Sequence, residues 1–164
     1  SYPIELIFPI REGRSSQQVG KKGKDKGRWS IGVKLCWLLN DFGRVVGWDW
    51  KTMNVSDKKF NPLAEPLSEK SIVLADYGFR DRDGVPDNMQ ICKKGTWNQR
   101  MFIETAFSMV TLVADLKRIR HRLAKYITAR LTYVTAMFNV LLQLFVKTHP
   151  NADPYKMSIA EFSL

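Results

Sequence analysis

Apolar positions near the start of the chain recur with a period of two. In "YPIELIF", Ile4, Leu6 and Phe8 alternate with Glu5 and Ile7, which predicts a strand. "WSIGVKLCWLLND" alternates again, with Ile31, Val33, Leu35, Trp37 and Leu39 on one face. The "NDFG" that follows signals a turn, and "RVVGWDWKTM" reads as a return strand. These three strands predict an antiparallel meander. "SDKKFNPLAEPLSEK" opens with capping residues and carries Pro62 and Pro66, so it predicts a short, broken helix. "SIVLA" is a continuous apolar run of the kind buried on both sheet faces. A helical crossover before it makes it parallel to its neighbour. Asp81 to Asp87 reads as a polar loop, and "MQIC" as a short strand.

From Trp97 to about His121 the period lengthens. Phe102, Ala106, Met109, Val113 and Leu116 step by four and three, with Ile103, Phe107 and Val110 widening the stripe. A second helix is expected over about Leu123 to Lys147, ended by His149 and Pro150, and the tail reads as irregular. No internal repeat is present. The pattern therefore predicts one α/β domain over residues 1–164. It has three antiparallel strands, then a parallel one, in a mixed sheet covered by helices, two of them long and C-terminal. Because the first residues already form a strand, the chain reads as a fragment of a longer protein.

Between the first two strands lies "REGRSSQQVGKKGKDKGR", Arg11 to Arg28. It has four glycines and no apolar period, so a flexible loop is expected. Seven Lys or Arg face two acids there, a net of +5, which is half the +10 carried by all 164 residues. A field of that sign attracts phosphate backbones and anionic surfaces and says nothing about fold. "VGKKGK" is not a nucleotide-binding loop, because Gly13 and Gly20 are too far apart and no Lys-Ser or Lys-Thr follows. A solvated loop and a nucleic-acid contact both remain open. "KRIRHR", Lys117 to Arg122, adds cations that complement a helix C-terminus. Cys36 and Cys92 are far apart, which indicates neither a disulfide framework nor a zinc site and fits a reducing cytosol. "MFNVLLQLFV" is too short to span a bilayer, so a core helix and no membrane association are expected. His121 and His149 stand alone and read as surface residues. The tryptophans read mostly as core.

Two acids could carry chemistry. Asp76 follows the buried strand, and ligands of α/β sheets gather outside strand C-termini; it also suits a turn cap. Glu104 sits early in the first long helix, four residues after Arg100, where an ordinary ion pair explains it. Together a strand-end Asp and a helix Glu could converge on a hard cation such as Mg²⁺. Two such ions support phosphodiester cleavage, which suits a basic protein.

The order and spacing of these motifs resemble the catalytic domain of the insertion-sequence transposases that carry a DDE triad on an RNase H-like fold. "SIGVKLCWLLNDFGRVVGW" resembles their second and third strands, "VLADYGF" the strand of the second Asp, and "WNQRMFIETAF" the helix of the Glu. Trp97, Arg100 and Glu104 match a Tyr-Arg-Glu-Lys spacing, with Trp for Tyr and Thr111 at the Lys position. The resemblance implies that Asp76 and Glu104 are catalytic ligands of Mg²⁺ or Mn²⁺ and that Arg100 orients Glu104 or contacts phosphate. It implies that Arg14, Lys21, Lys22, Lys24, Lys26, Arg28 and Trp97 hold DNA. The family's first Asp stands in an "Asp-Ser-x-Pro" context, which Ser1 and Pro3 match, so it would be the residue just before Ser1. Glu5 lies four residues along the same strand, and Asp41 and Asp49 fall around the next turn and strand; none is a convincing substitute. The expected function is transposon-end hydrolysis and strand transfer by a cytoplasmic, nucleoid-associated bacterial-type enzyme, with a homodimer on DNA as one assembly. These 164 residues alone are expected to have little or no strand-transfer activity. A junction resolvase, a non-catalytic DNA-binding remnant and a basic RNA-binding module are the alternatives.

Overall fold

The structure is a computed structural model that describes residues 1–25, 27–93 and 100–158. The three expected strands form. β1 (Tyr2–Pro9) runs antiparallel to β3 (Arg28–Leu39), with Ile4 opposite Trp37 and Glu5 opposite Cys36. β4 (Val45–Thr52) lies on the other side of β3, with Cys36 opposite Asp49 and Trp37 opposite Trp48. The turn between β3 and β4 follows from its residues. The Asn40 side chain accepts from the amides of Phe42 and Arg44, and Gly43 takes the positive φ of 78° that closes the turn.

A fourth strand lies inside the segment expected to be a loop throughout. β2 (Lys22–Asp25) pairs antiparallel with the start of β3, placing Lys22 opposite Ile31 and Lys24 opposite Trp29. Its composition hides it, because no apolar residue marks the alternation. Gly23 explains its placement: a Cβ there would fall 2.1 Å from the Met53 carbonyl carbon, so only glycine allows this close approach.

β5 (Val73–Ala75) and β6 (Met89–Ile91) form a second, parallel ladder, with Val73 opposite Met89. It abuts the first. The Ser1 nitrogen donates to the Ile72 carbonyl at 2.9 Å and the Ser1 carbonyl accepts from the Leu74 amide at 2.8 Å. One residue bonded on both sides of Val73 is the parallel pattern, so Ser1 is level with Val73 and β1 and β5 run in the same direction. Between β4 and β5 the two prolines leave only 3₁₀ turns, Asp57–Leu63 and Glu65–Leu67.

The period-two pattern sorts β1 and β3 onto two cores. Ile4, Leu6, Phe8, Val33, Leu35 and Trp37 face the helices α1 (Arg100–Leu112) and α2 (Ala124–Thr148). α2 answers with Ile127, Leu131, Val134, Phe138, Leu142 and Phe145 at helical spacing. By length and composition α2 could also cross a membrane, but this stripe packs on the sheet. On the other face Cys36 and Leu38 pack with Phe60, Ala64, Val73, Ala75, Phe79 and Met89.

α1 ends nine residues before the expected His121. Asp115 adopts a left-handed conformation, φ 50° and ψ 41°, and a 3₁₀ turn follows at Leu116–Arg118. The Arg130 guanidinium donates to the carbonyls of Ala114 and Asp115 in the segment that follows the helix. The apolar period does not show this end, because Val113 and Leu116 continue the apolar spacing past it.

Candidate acidic pocket and basic surface

On the face of the sheet away from the helices, alternation brings charged residues together. Glu5 on β1 and Lys34 on β3 both point there, and Asp57 opens the 3₁₀ turn that covers them. Lys34 is about nine-tenths buried, and its Nζ donates to Asp57 Oδ1 at 2.5 Å. The Glu5 carboxyl faces the same Asp57, and its Oε1 is buried with no hydrogen-bond partner. Burial first, then the charge of Asp57, push the Glu5 pKa up to about 8; Lys34 opposes this and Asp76 adds to it. Beside this group Lys51 pairs with Asp49 at 2.5 Å.

Asp76 stands just past β5, exposed. Its Oδ1 accepts from the Gly78 amide at 2.9 Å, so it caps the 3₁₀ turn Tyr77–Phe79. Capping leaves its other oxygen outside that bond. A Cβ at Gly78 would lie 3.0 Å from Asp57 Oδ2 and 3.1 Å from Asp76 Oδ1, so these two acids flank one small residue. Glu5, Asp57 and Asp76 therefore form one acidic cluster, with Lys34 as its buried cation.

Glu104 is exposed on α1, and α1 buries Ala106, Met109 and Val110 against the opposite face of the sheet from Glu5. Thr111, at the position of the expected Lys, is buried and its hydroxyl donates to the Phe107 carbonyl of its own helix. Arg100 opens α1, but its side chain, Trp97 and Lys26 lie outside the described residues. Carboxylate oxygens are the right donor type for Mg²⁺ or Mn²⁺. Among the described residues, however, no three of His, Cys, Asp and Glu are close enough to hold a metal ion. The pocket therefore fits a divalent cation in chemistry and not in assembly, and no reaction step through a metal is derived.

The expected DNA contacts Arg14, Lys21, Lys22, Lys24 and Arg28 are all exposed. Their segment is not free-standing. The Val19 amide donates to the Arg122 carbonyl at 2.9 Å, Gln18 bridges Leu123, and Ile10 bridges Ile119. The early basic segment thus lies against "KRIRHR", and Lys117, Arg118, Arg120 and His121 add their exposed side chains to one basic surface.

In the sequence Glu5 is no convincing ligand, Asp57 reads as a cap, and Lys34 stands in a strand without a marked role. A lone Lys inside the apolar strand "GVKLCWLL" was the available signal, since a buried ammonium demands a carboxylate partner. The tryptophans are expected to be mostly core, and Trp29, at 70% exposed, is an exception.

Comparison with known protein families, with curated proteins and with solved structures finds no match.

Glu5 makes stability depend on pH. An unfolded glutamate ionises near 4.5, whereas the folded chain keeps this proton up to about 8. Between those values folding takes up a proton, so this group's contribution makes stability fall as pH rises. The urea midpoint is expected to be lower at pH 8.5 than at pH 5. Glu5→Gln, which keeps the shape without the titration, should reduce that difference. An unchanged pH slope in Glu5→Gln would show that Glu5 ionises normally.

Proposed function

We propose that the chain is the RNase H-like catalytic domain of a DNA transposase of the DDE type. Intact members of that family hydrolyse a strand at a transposon end and transfer it to target DNA. The observation that carries this reading is the strand arrangement around Asp76. Antiparallel β4, β3 and β1 are followed by β5, parallel to β1, then β6, and Asp76 stands at the β5 C-terminus beside the acid pocket. The composite basic surface supports DNA as the substrate.

In this reading Asp76 and Glu104 are metal ligands by the family pattern alone, since the described residues assemble no group of three acids around them. Arg100 orients Glu104 or contacts phosphate. Lys34 balances the charge of Asp57 beside the buried Glu5 carboxyl.

The test uses the full open reading frame on linear duplexes ending in the element's own termini. Metal-dependent cleavage is expected in the parent and lost in Asp76→Ala, while DNA affinity is retained and falls with added salt. Cleavage that survives Asp76→Ala overturns the reading. A second reading, a non-catalytic DNA-binding domain, is favoured by the absence of a three-acid group among the described residues. It predicts salt-sensitive binding that Asp76→Ala does not alter, with no metal-dependent cleavage by either protein.

A further inference from the structure

The hairpin of β2 and β3 carries an aromatic residue that no core explains. Trp29 is 70% exposed. In the antiparallel register Lys24 is directly opposite Trp29, and Lys22 opposite Ile31, so these four side chains share one face of the arm. An open groove of about 650 Å³ is lined by Lys22, Trp29, Ser30 and Ile31. No described residue forms an ion pair with Lys22 or Lys24.

Two features hold this face in place. Gly23 packs on the Met53 backbone, and the Met53 amide donates to the Gly32 carbonyl at 3.2 Å. Gly27 takes a φ of 86° at the tip, which closes the arm. A platform ordered in advance loses little entropy when a ligand settles on it.

The chemistry of the face selects its occupant. An apolar protein surface would cover the indole but would strip water from two unpaired ammonium groups. A nucleic-acid strand satisfies both, because its base has a π-face and its phosphates are anions. Stacked bases within a duplex do not offer that π-face.

We propose that Trp29 is a stacking platform for an unpaired nucleobase, with Lys22 and Lys24 holding the flanking phosphates, so that the β2–β3 arm binds single-stranded DNA. This shares with the proposed function only the assignment of DNA as partner. It adds a preference for an opened strand and a residue that sets it.

Fluorescence anisotropy with a labelled 12-nucleotide oligothymidine and an abasic strand of equal length tests it, since the two differ in bases and not in charge. The parent should bind the base-bearing strand more tightly. Trp29→Ala should weaken that binding about 5- to 100-fold and erase the preference over the abasic strand. Trp29→Phe should keep most of it, which separates stacking from a folding defect. Lys22→Gln with Lys24→Gln should weaken both strands alike and flatten the salt dependence. Equal affinity of the parent for the two strands, or full affinity in Trp29→Ala, overturns the proposal; so does tighter binding of oligouridine, which would make RNA the ligand. Loss of end cleavage in Asp76→Ala does not bear on it, so the two readings fail separately.

Discussion

Trp37→Ala is expected to destabilise the protein by about 4 kcal/mol, within the range for emptying a large aromatic site in a core. Trp37 is fully buried in the middle of β3. Its ring packs on Phe138 of α2 with centroids 4.7 Å apart, and its indole nitrogen donates to Thr135 Oγ1 at 2.9 Å. The substitution therefore opens a cavity between sheet and helix and also removes the partner of a buried hydroxyl. Those two losses can be separated. Trp37→Phe keeps most of the ring and gives up the hydrogen bond, so it should cost about 1–2 kcal/mol. Urea unfolding followed by far-UV circular dichroism measures both. A loss below about 2 kcal/mol for the alanine would mean that α2 closes onto the sheet without Trp37.

Lys34→Met is expected to cost about 3 kcal/mol at pH 8.5, the low end for breaking a buried ion pair by removing one partner. The low end applies because the Asp57 side chain keeps 30% of its exposure. Methionine nearly preserves the volume, so the loss reports charge rather than packing. Without the ammonium, Glu5 and Asp57 face each other with no cation between them. Adding Asp57→Asn to Lys34→Met should recover much of the loss, and the defect should shrink at pH 5, where Glu5 holds its proton. A defect of equal size at both pH values would show that the lysine acts through its methylenes.

Much of this fold could be seen in the chain. Alternation marks β1 and β3, the NDFG turn marks β4 as a return strand, and the four-and-three spacing marks α1. The elements that escaped depend on contacts between distant residues. β2 has no apolar side of its own and exists because Gly23 fits against Met53. Beyond the early end of α1, the connecting segment is held by Arg130, which lies in the next helix. The site divides in the same way. Asp76 at a strand end could be found by position alone. Glu5 does not stand out, because only the fold reveals that it is buried beside Lys34 and Asp57. Trp29 was hidden because an exposed tryptophan and a core tryptophan have the same letter.

The left-handed residue at Asp115, which opens the turn after α1, has an effect that reaches beyond that turn. Were α1 to continue past Leu112, the nine residues to His121 would carry it about 13.5 Å further along its axis, at about 1.5 Å per residue. Instead the chain turns back, Ile119 meets Ile10, and Arg122 meets Val19. One backbone conformation thus decides whether the two basic segments lie together or apart. That conformation costs about 1–2 kcal/mol for most side chains and is tolerated by glycine, asparagine and aspartate. Position 115 is therefore under a selective constraint that neither core nor charge imposes: sequences sharing this surface should be confined there to those three residues, with β-branched ones excluded.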